Sequence, residues 1–526
     1  MQTKMAANSD PLHRRWPADN YLFLLACLLC GLPVWLPHLP PMVDLPQHAA
    51  QISLYLNMGK ADFPFTEQFQ LNWFTPYLLG YALIALATPL LGIVAACKLV
   101  VWLALAGFAL STRFLLRQTG ADPYWAWLTF PVLYGFTYQW GLLNFLVAAP
   151  LGMVFLGLVW KQQARPDWRA SLLNAVLLYL LFFSHALIMA LFSMIAAVYW
   201  LVSAPRLRDL IKCAWPMLAL APAVLVWLFL ASKHPVTNAP VEWDLSWTTT
   251  SDGYYDYFAH WTNRNEPGWG RVTGFIPRLL GVRPEIVFTL LGIALFALPF
   301  LAGGRITRSR ARWLPLLCIV LLLLLLPSFL FGNVYTFQRF TFLAMPLFLV
   351  VMDAGKSMSL AQRTLRMIAP VVAFGWVVFM ANNALQFNKD GAGFEDILSK
   401  MEPGKRALSL VFETDDSHSI APTFLHFPAW YSARRSGVSD PSFAENYAQP
   451  VAYKPEYVPK ARFQGFVWNP QWFDWHGYDG YKYDYFVVRA AVDASDYLFR
   501  TAACGISLEA HSGQWWLYRR DSNCRN

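Results

Sequence analysis

The sequence predicts a mainly α, polytopic transmembrane protein that carries a small α/β domain outside the cytoplasm. Hydrophobic residues make up 56% of the 526 positions and charged residues only 14%, far from the composition of soluble domains. Apolar runs long enough to cross a bilayer recur from Tyr21 to Gln386. After Gln386 the chain becomes polar, and the remaining part, about 140 residues, has the size of an ordinary soluble domain.

Short basic clusters between the apolar runs orient the chain. They lie at Arg14/Arg15, Arg113/Arg117, Lys161 to Arg169, Arg206 to Lys212, Arg305 to Arg312 and Lys356 to Arg366. If these clusters are cytoplasmic, as the positive-inside rule predicts, then loops 37–74 and 232–284 and all residues after 386 lie outside the cytoplasm. Residues 75–117 look like two spans, yet the charges on either side of this stretch require an odd number of crossings. We therefore expect about 11–13 spans in total. The net charge of +9 is divided among these short clusters. This distribution indicates that the charge sets the orientation in the membrane, and it does not indicate a nucleic-acid partner.

We therefore predict a transmembrane module, residues 1–386, and an outer α/β domain, residues 387–526, of a bacterial inner-membrane protein with this domain in the periplasm. The domain's predicted elements are a helix at 394–400, strands at 406–412, 485–489 and 515–519, and a helix at 491–502. Cys504 and Cys524 are the only cysteines in this polar part, and in an oxidising compartment we expect them to form a disulfide.

An aspartate just outside the first span is the most informative single residue. Pro46 suits the first turn of a helix, and Asp44 is placed to cap that helix. At helical spacing Asp44 shares one face with His48, Gln51 and Tyr55. A carboxylate and an imidazole at a membrane surface can take a proton or hold a cation. An amphipathic helix lying on lipid is the alternative interpretation.

Other polar residues stand at predicted outer positions. Loop 232–284 is longer than a connector needs, which is typical of a functional lid, although a solvated face explains its charges equally well. Arg339 begins a span at its outer end, where a guanidinium can face a lipid phosphate or extend to the headgroups. His185 lies between two apolar runs and either lines a cavity or is satisfied at a helix junction. The aromatic stretch 468–478 suits sugar stacking or an interfacial belt.

On these residues the chain resembles the GT-C superfamily of membrane glycosyltransferases, especially the polyprenyl-phosphate-sugar enzymes related to protein O-mannosyltransferases and the aminoarabinose transferase of lipid A. The first outer loop of that family begins with two acidic residues, with Tyr or His four residues after the first acid. Asp44 and His48 match this pattern, and Leu45 replaces the second acid. The order of spans, outer loops and outer C-terminal domain is similar along nearly the whole chain.

The resemblance implies inverting transfer of a sugar from a polyprenyl-phosphate donor to a glycan, lipid or protein acceptor at the outer face of the membrane. It implies that Asp44 is the catalytic base and that His48 or a cation tunes it. The expected donor-phosphate ligands are Arg339, Arg271 and Arg264, and the expected cavity residues are Gln51, Tyr55, His185, Asp256 and His260. No zinc-type spacing is present. Asp44 and His48 provide at most two ligands, so a divalent cation (Mg²⁺, Mn²⁺ or Ca²⁺) would need more from loop 232–284 and stays an open alternative.

Other classes of function remain alternatives. A transporter or flippase for lipid-linked glycans would carry internal repeats and ionisable residues near the membrane midplane, and neither is evident in the sequence. A glycan polymerase or ligase would use the same kind of donor but place its key residues in later loops. A membrane scaffold would leave the polar face of Asp44 and His48 unexplained.

Overall fold

The computed structural model of the protein describes residues 17–164, 167–203, 206–232, 268–327, 334–355, 357–463 and 465–521. The helices of the membrane module are α1 (Pro17–Leu29), α2 (Leu32–Trp35), α3 (Leu45–Asn57), α4 (Leu78–Leu91), α5 (Ile93–Thr119), α6 (Phe136–Gln139), α7 (Leu143–Ala164), α8 (Trp168–Ser184), α9 (Ala186–Ser203), α10 (Leu207–Ala231), α11 (Gly268–Thr273), α12 (Phe275–Leu280), α13 (Ile286–Leu301), α14 (Leu314–Leu325), α15 (Ala344–Leu349), α16 (Leu360–Arg366) and α17 (Ile368–Asp390). Its short strands are β1 (Phe69–Leu71), β2 (Arg305–Ile306) and β3 (Met352–Asp353).

The described helices confirm an integral membrane protein. Six segments are long and apolar enough to cross a bilayer: Ala18–Trp35, Ile93–Thr119, Leu143–Gln163, Ala186–Ser203, Leu207–Leu230 and Leu360–Asp390. Three shorter apolar helices accompany them, at Leu78–Leu91, Trp168–Ser184 and Ile286–Leu301. The predicted total of about 11–13 spans stays a prediction, because the described residues do not cover the whole chain.

Several of the predicted cytoplasmic clusters meet at one face of the helix bundle. Arg113 near the end of α5 lies 2.5 Å from Asp19 at the start of α1. Arg366 at the end of α16 lies 2.8 Å from Asp122, and Arg312 pairs with Asp353 beside them. Helix ends that the charge pattern assigned to one side of the membrane are therefore neighbours in the fold.

The contacts of α5 explain the ambiguous stretch 75–117. Lys98 near the start of α5 donates to the carbonyl of Pro37 at 2.6 Å, and Trp102 donates to the carbonyl of Cys27 at 3.2 Å. Together with the Arg113 ion pair at the far end, these contacts run α5 antiparallel to α1 over a full crossing. The 14 residues of α4 span only about 21 Å, short of a bilayer core of about 30 Å. We infer that this stretch contributes one crossing, the odd number that the charges require.

The C-terminal part is the predicted small α/β domain. Its helices are α18 (Phe394–Lys400), α19 (Trp430–Arg435) and α20 (Ser495–Leu498), and its strands are β4 (Arg406–Val411), β5 (Val438–Asp440), β6 (Val451–Tyr453), β7 (Tyr485–Arg489), β8 (Ile506–Ser512) and β9 (Trp515–Arg520). Five of these strands form a mixed sheet in the order β5-β4-β7-β9-β8, in which β4 is parallel to β5 and β7. The predicted helix 491–502 is wrong in length, since only α20 is helical there.

The aromatic stretch 468–478 contributes mainly to the core of this domain. Trp475 and Phe473 are buried and pack with Phe486 and Leu408 of the central strands. The stretch is therefore neither a continuous sugar platform nor a membrane belt. Two tryptophans lie outside this core: Trp468 packs on Trp140 of the membrane module, and Trp472 is 50% exposed.

The first outer loop is fastened to the C-terminal domain. Strand β1 pairs antiparallel with β6, which sets Phe69 opposite Tyr453, and α3 packs against α19. The side chain of Gln47 on α3 donates to the carbonyl of Pro441 at 2.8 Å and accepts from the amide of Phe443 at 3.1 Å. Residues from both units therefore border the same space.

Candidate functional site

A cavity of about 370 Å³ lies where the first outer loop, the ends of several membrane helices and the C-terminal domain meet. Four residues predicted from the sequence line it: Asp44, His48, His185 and Arg339. The C-terminal domain adds residues that the sequence argument missed, among them His426, Glu445 and Gln449, and it adds Trp468 from the aromatic stretch singled out in the sequence. The cavity has the size of ordinary small-molecule sites.

The backbone of Asp44 is held by a turn that precedes α7. The amides of Val43 and Asp44 donate to the carbonyls of Gln139 and Trp140, each at 3.0 Å. Gly141 completes this turn with a φ of 79°, and a Cβ atom there would lie 2.8 Å from the Asp44 amide nitrogen. The close approach of two backbones therefore requires glycine at position 141.

The predicted capping role of Asp44 is wrong. Its side chain makes no capping hydrogen bond to α3. Instead Asp44 Oδ1 lies 2.9 Å from Nδ1 of His426, a residue 382 positions away along the chain. The carboxylate is buried, with 7% of the residue exposed, so its partner is an imidazole from the C-terminal domain and not the helix that follows it.

His426 is the main residue that the sequence analysis missed. The residue is 4% exposed, and its second ring nitrogen, Nε2, has no hydrogen-bond partner among the described residues. His426 stands in the apolar run Phe424-Leu425-His426-Phe427, where one titratable residue within a buried segment was the available signal. Only the fold brings it to Asp44.

His48 lines the cavity but remains neutral. Its Nδ1 lies 2.6 Å from the hydroxyl of Tyr81, which in turn donates to Gln449 Oε1 at 2.6 Å. Burial lowers the pKa of His48 from 6.5 to about 4, because a low-dielectric environment disfavours the charged imidazole. His48 lies close enough to Asp44 to interact with it electrostatically, and the chain of hydrogen bonds from His48 through Tyr81 to Gln449 joins α3 to α4 and the C-terminal domain. The expectation that His48 tunes Asp44 stays a prediction.

Arg339 provides positive charge at the cavity wall. Thr137 donates to its backbone carbonyl at 2.8 Å, and its Nη2 donates to the carbonyl of Val334 at 2.8 Å. Its Nε is buried with no hydrogen-bond partner among the described residues. Asp44 and Tyr77 lie close enough to interact electrostatically with the guanidinium. A buried N–H group without an acceptor costs folding free energy, and an anion bound in the cavity would supply the missing acceptor.

The cavity lining also contains aromatic rings and a second carboxyl group. Trp140 stacks on Trp468 with ring centroids 6.4 Å apart and lies 4.5 Å from the ring of Tyr335. Glu445 accepts from the amides of Ser442 at 3.2 Å and Phe463 at 2.7 Å. Burial raises the pKa of Glu445 to about 8, so this side chain is mostly protonated at neutral pH.

Three predicted site residues lie away from the lining of this cavity. Gln51 accepts from the Val451 amide at 3.1 Å, and Tyr55 is 39% exposed and packs edge-on against Trp73. Both lie farther along α3, which turns away from the cavity and onto the C-terminal domain. Arg271 donates to the carbonyls of Leu323 and Leu326. Asp256, His260 and Arg264 lie outside the described residues.

The disulfide and the cation remain predictions. Cys504 is disulfide-bonded, and its predicted partner Cys524 lies outside the described residues. Within the described ranges no three His, Cys, Asp or Glu side chains cluster as a metal site. Asp44 Oδ1 is engaged by His426, so the described residues offer few oxygen ligands to the Mg²⁺, Mn²⁺ or Ca²⁺ that the sequence left open.

The fold has counterparts among solved structures. No protein-family model and no curated protein sequence matches the chain. The crystal structure of ArnT from Cupriavidus metallidurans bound to undecaprenyl phosphate is similar over 96% of this chain and 99% of that chain, with 13% sequence identity and a TM-score of 0.54. The apo state of the same protein covers 95% and 97%, with 13% identity and a TM-score of 0.49. At the level of the fold, the resemblance stated from the sequence is confirmed, because this chain shares its overall fold with that ArnT structure.

Proposed function

We propose that the protein transfers a sugar, with inversion, from a polyprenyl-phosphate donor to an acceptor hydroxyl at the non-cytoplasmic face of the membrane. One observation carries the proposal: a buried carboxylate–imidazole pair and a buried guanidinium line the same cavity. Glycosyl transfer from a lipid phosphate needs these two functions, a base for the acceptor hydroxyl and positive charge for the departing phosphate.

The base function is supported by Asp44 and His426. Each is at most 7% exposed, and their contact of 2.9 Å joins the first outer loop to the C-terminal domain. A single displacement in which the acceptor oxygen attacks the anomeric carbon from the side opposite the phosphate inverts the configuration there. The base and the phosphate site must then face each other across the sugar.

The phosphate function is supported by Arg339. The predicted span after Arg339 is two short helical pieces, Gln338–Leu343 and α15, and the buried Nε of Arg339 has no hydrogen-bond partner among the described residues. A guanidinium at the cavity wall can pair with a lipid phosphate. A polyprenyl phosphate is a leaving group already anchored in the bilayer, so no nucleotide sugar is needed. The fold neighbour bound to undecaprenyl phosphate suggests undecaprenyl phosphate as the lipid to test first.

The orientation of the site follows from its position relative to the basic clusters. Arg113, Arg312 and Arg366 lie at one face of the bundle, and the cavity residues come from segments that the charge pattern assigns to the other. By the positive-inside rule the basic face is cytoplasmic. We propose that this is a bacterial inner-membrane protein with its cavity and C-terminal domain in the periplasm, acting on a glycan, lipid or protein of the cell envelope.

The donor site is tested with the purified protein in nanodiscs titrated with undecaprenyl phosphate. We expect binding to raise the thermal stability of the wild type, and Arg339→Met to weaken binding at least tenfold because one charge-assisted contact to the phosphate is lost. Arg271→Met is the matched control, since Arg271 lies outside the cavity lining and binds backbone carbonyls. Equal losses in the two variants would refute Arg339 as the phosphate ligand.

The reaction is tested by mass spectrometry of cell-envelope glycans from cells that contain the wild type, Asp44→Asn or no protein. We expect a glycan that depends on the wild type and is missing with Asp44→Asn. A flippase would instead change the leaflet of the lipid-linked sugar without forming a new glycosidic bond, and a polymerase or ligase would change the length or attachment of a preformed glycan. Activity that persists in EDTA would remove the divalent cation from the scheme.

A further inference from the structure

The Asp44–His426 pair also defines which atom takes the proton. We propose that Nε2 of His426 is the general base for the acceptor hydroxyl, and that Asp44 is a positioning residue that acts through the imidazole. This inference rests on the proposed function and changes the expected role of Asp44. It assigns chemistry to a histidine of the C-terminal domain that the acidic motif of the first outer loop does not include.

The first argument is the direction of the hydrogen bond. An ionised carboxylate only accepts, so the contact of 2.9 Å between Asp44 Oδ1 and His426 Nδ1 requires the proton to be on Nδ1. The neutral imidazole then carries its lone pair on Nε2. A carboxylate that fixes the tautomer of an imidazole in this way also stabilises the imidazolium that forms when Nε2 takes a proton.

The second argument is the position of Nε2. His426 lines the cavity and is 4% exposed, yet Nε2 has no hydrogen-bond partner in the described part of the chain. Phe443 and Phe463 flank the ring at centroid distances of 6.0 Å and 4.8 Å, which hold its orientation. A buried acceptor without a partner in a substrate-sized cavity is where a hydroxyl of the acceptor can bind.

The third argument is the surrounding charge. Asp44 is the carboxylate in direct contact with the ring. The other titratable groups that line the cavity are His48, Tyr77, His185, Tyr335, Arg339, Glu445 and Arg462. With His48 neutral and Glu445 mostly protonated, Asp44 is the main negative charge beside the imidazole, and the cations are available for the phosphate.

The resulting step is balanced. The acceptor O–H bond breaks and its proton moves to Nε2 of His426, while the acceptor oxygen forms a bond to the anomeric carbon. The bond from that carbon to the phosphate oxygen breaks, and its electron pair leaves with the polyprenyl phosphate beside Arg339. The imidazolium, paired with Asp44, then returns its proton to the leaving phosphate or to solvent.

The key variant is His426→Asn, whose amide N–H can occupy the place of Nδ1–H and keep the contact to Asp44 while no base remains at Nε2. If His426 is the base, kcat for sugar transfer falls about 10²- to 10⁴-fold with little change in KM. Asp44→Asn lowers kcat comparably, and the double variant is no worse than the more impaired single variant, because the two residues act as a unit. If Asp44 is itself the base, His426→Asn retains activity within a few-fold of the wild type, and the inference is overturned.

Two further readouts separate chemistry from structure. Added imidazole is expected to restore transfer to His426→Gly and not to Asp44→Asn, which a purely structural role of His426 would not produce. Undecaprenyl phosphate binding, measured in nanodiscs, serves as the folding control for each variant. A binding-competent His426→Gly that imidazole does not rescue would count against Nε2 as the base.

The tautomer is measurable without any activity. In protein labelled with ¹⁵N-histidine, the resonances absent from His426→Asn belong to His426, and we expect a protonated Nδ1 and a bare Nε2 at neutral pH. A proton on Nε2 would overturn the inference even if sugar transfer is established. Absence of transfer in the wild type, together with the expected tautomer, would instead reject the proposed function and leave the geometry of the pair intact.

Discussion

The glycine behind Asp44 gives a sharp test of how closely the carboxylate must be placed. In Gly141→Ala the new Cβ would lie 2.8 Å from the Asp44 amide nitrogen, whereas ordinary contact begins at 3.4 Å. The two backbones must therefore separate by about 0.6 Å, the difference between these distances. Since a misplacement of about 1 Å can cost 10²-fold in rate, we expect roughly a tenfold loss of transfer.

Gly120→Ala is the matched control. Gly120 has a similar φ of 75°, ends α5 at the opposite face of the bundle, and has no atom within 4 Å of the position of its Cβ. Both variants therefore bear the strain of a left-handed alanine, about 1–2 kcal/mol, but only Gly141→Ala displaces Asp44. The assay compares the initial rate of polyprenyl phosphate release with thermal stability for each variant. Equal losses of rate in the two would show that strain, and not the position of Asp44, explains the effect.

Two further predictions concern titration and the contact between the first outer loop and the C-terminal domain. Burial raises the pKa of Glu445 from its ordinary value of 4.5 to about 8, so the folded protein binds this proton more tightly than the unfolded chain does. Its contribution to stability is therefore present at low pH and lost as pH rises through about 8, by at most about 1.4 kcal/mol per pH unit. Thermal unfolding measured from about pH 5 to pH 9 should show a slope that Glu445→Gln reduces, and parallel slopes would contradict this. Gln47→Met should destabilise the protein by about 2–4 kcal/mol, since it leaves one buried and one partly buried backbone group unpaired. Gln51→Met removes one such bond and should cost about half as much. Equal unfolding temperatures for the two variants would argue against this ranking.

The membrane fold and one half of the site could be predicted from the sequence, because both depend on local patterns. Apolar runs and basic clusters give spans and sides, and Asp44 is marked by its place after the first span. Arg339 is marked in the same way, as a charge at a span end. Apolar runs, basic clusters and charges at the ends of predicted spans can all be read without knowing which segments contact each other in the fold.

The other half of the site depends on long-range contacts that no local pattern encodes. The sequence predicts no element around His426 or Glu445, and the packing of the C-terminal domain on α3 brings them to the cavity. The same packing explains why Gln51 and Tyr55 miss the cavity although they share a helical face with Asp44. Helical periodicity predicted which residues share one face of α3, but the packing of the C-terminal domain determined which of them line the cavity.

The pairing of residues 382 positions apart has a consequence for biosynthesis. Asp44 is translated early, whereas His426 and β6 leave the ribosome only after all the membrane helices that the structure describes have been made. A chain that ends before residue 426 would therefore leave the Asp44 carboxylate without its imidazole partner. If the pair carries out the proposed chemistry, the cavity is complete only when synthesis is nearly finished.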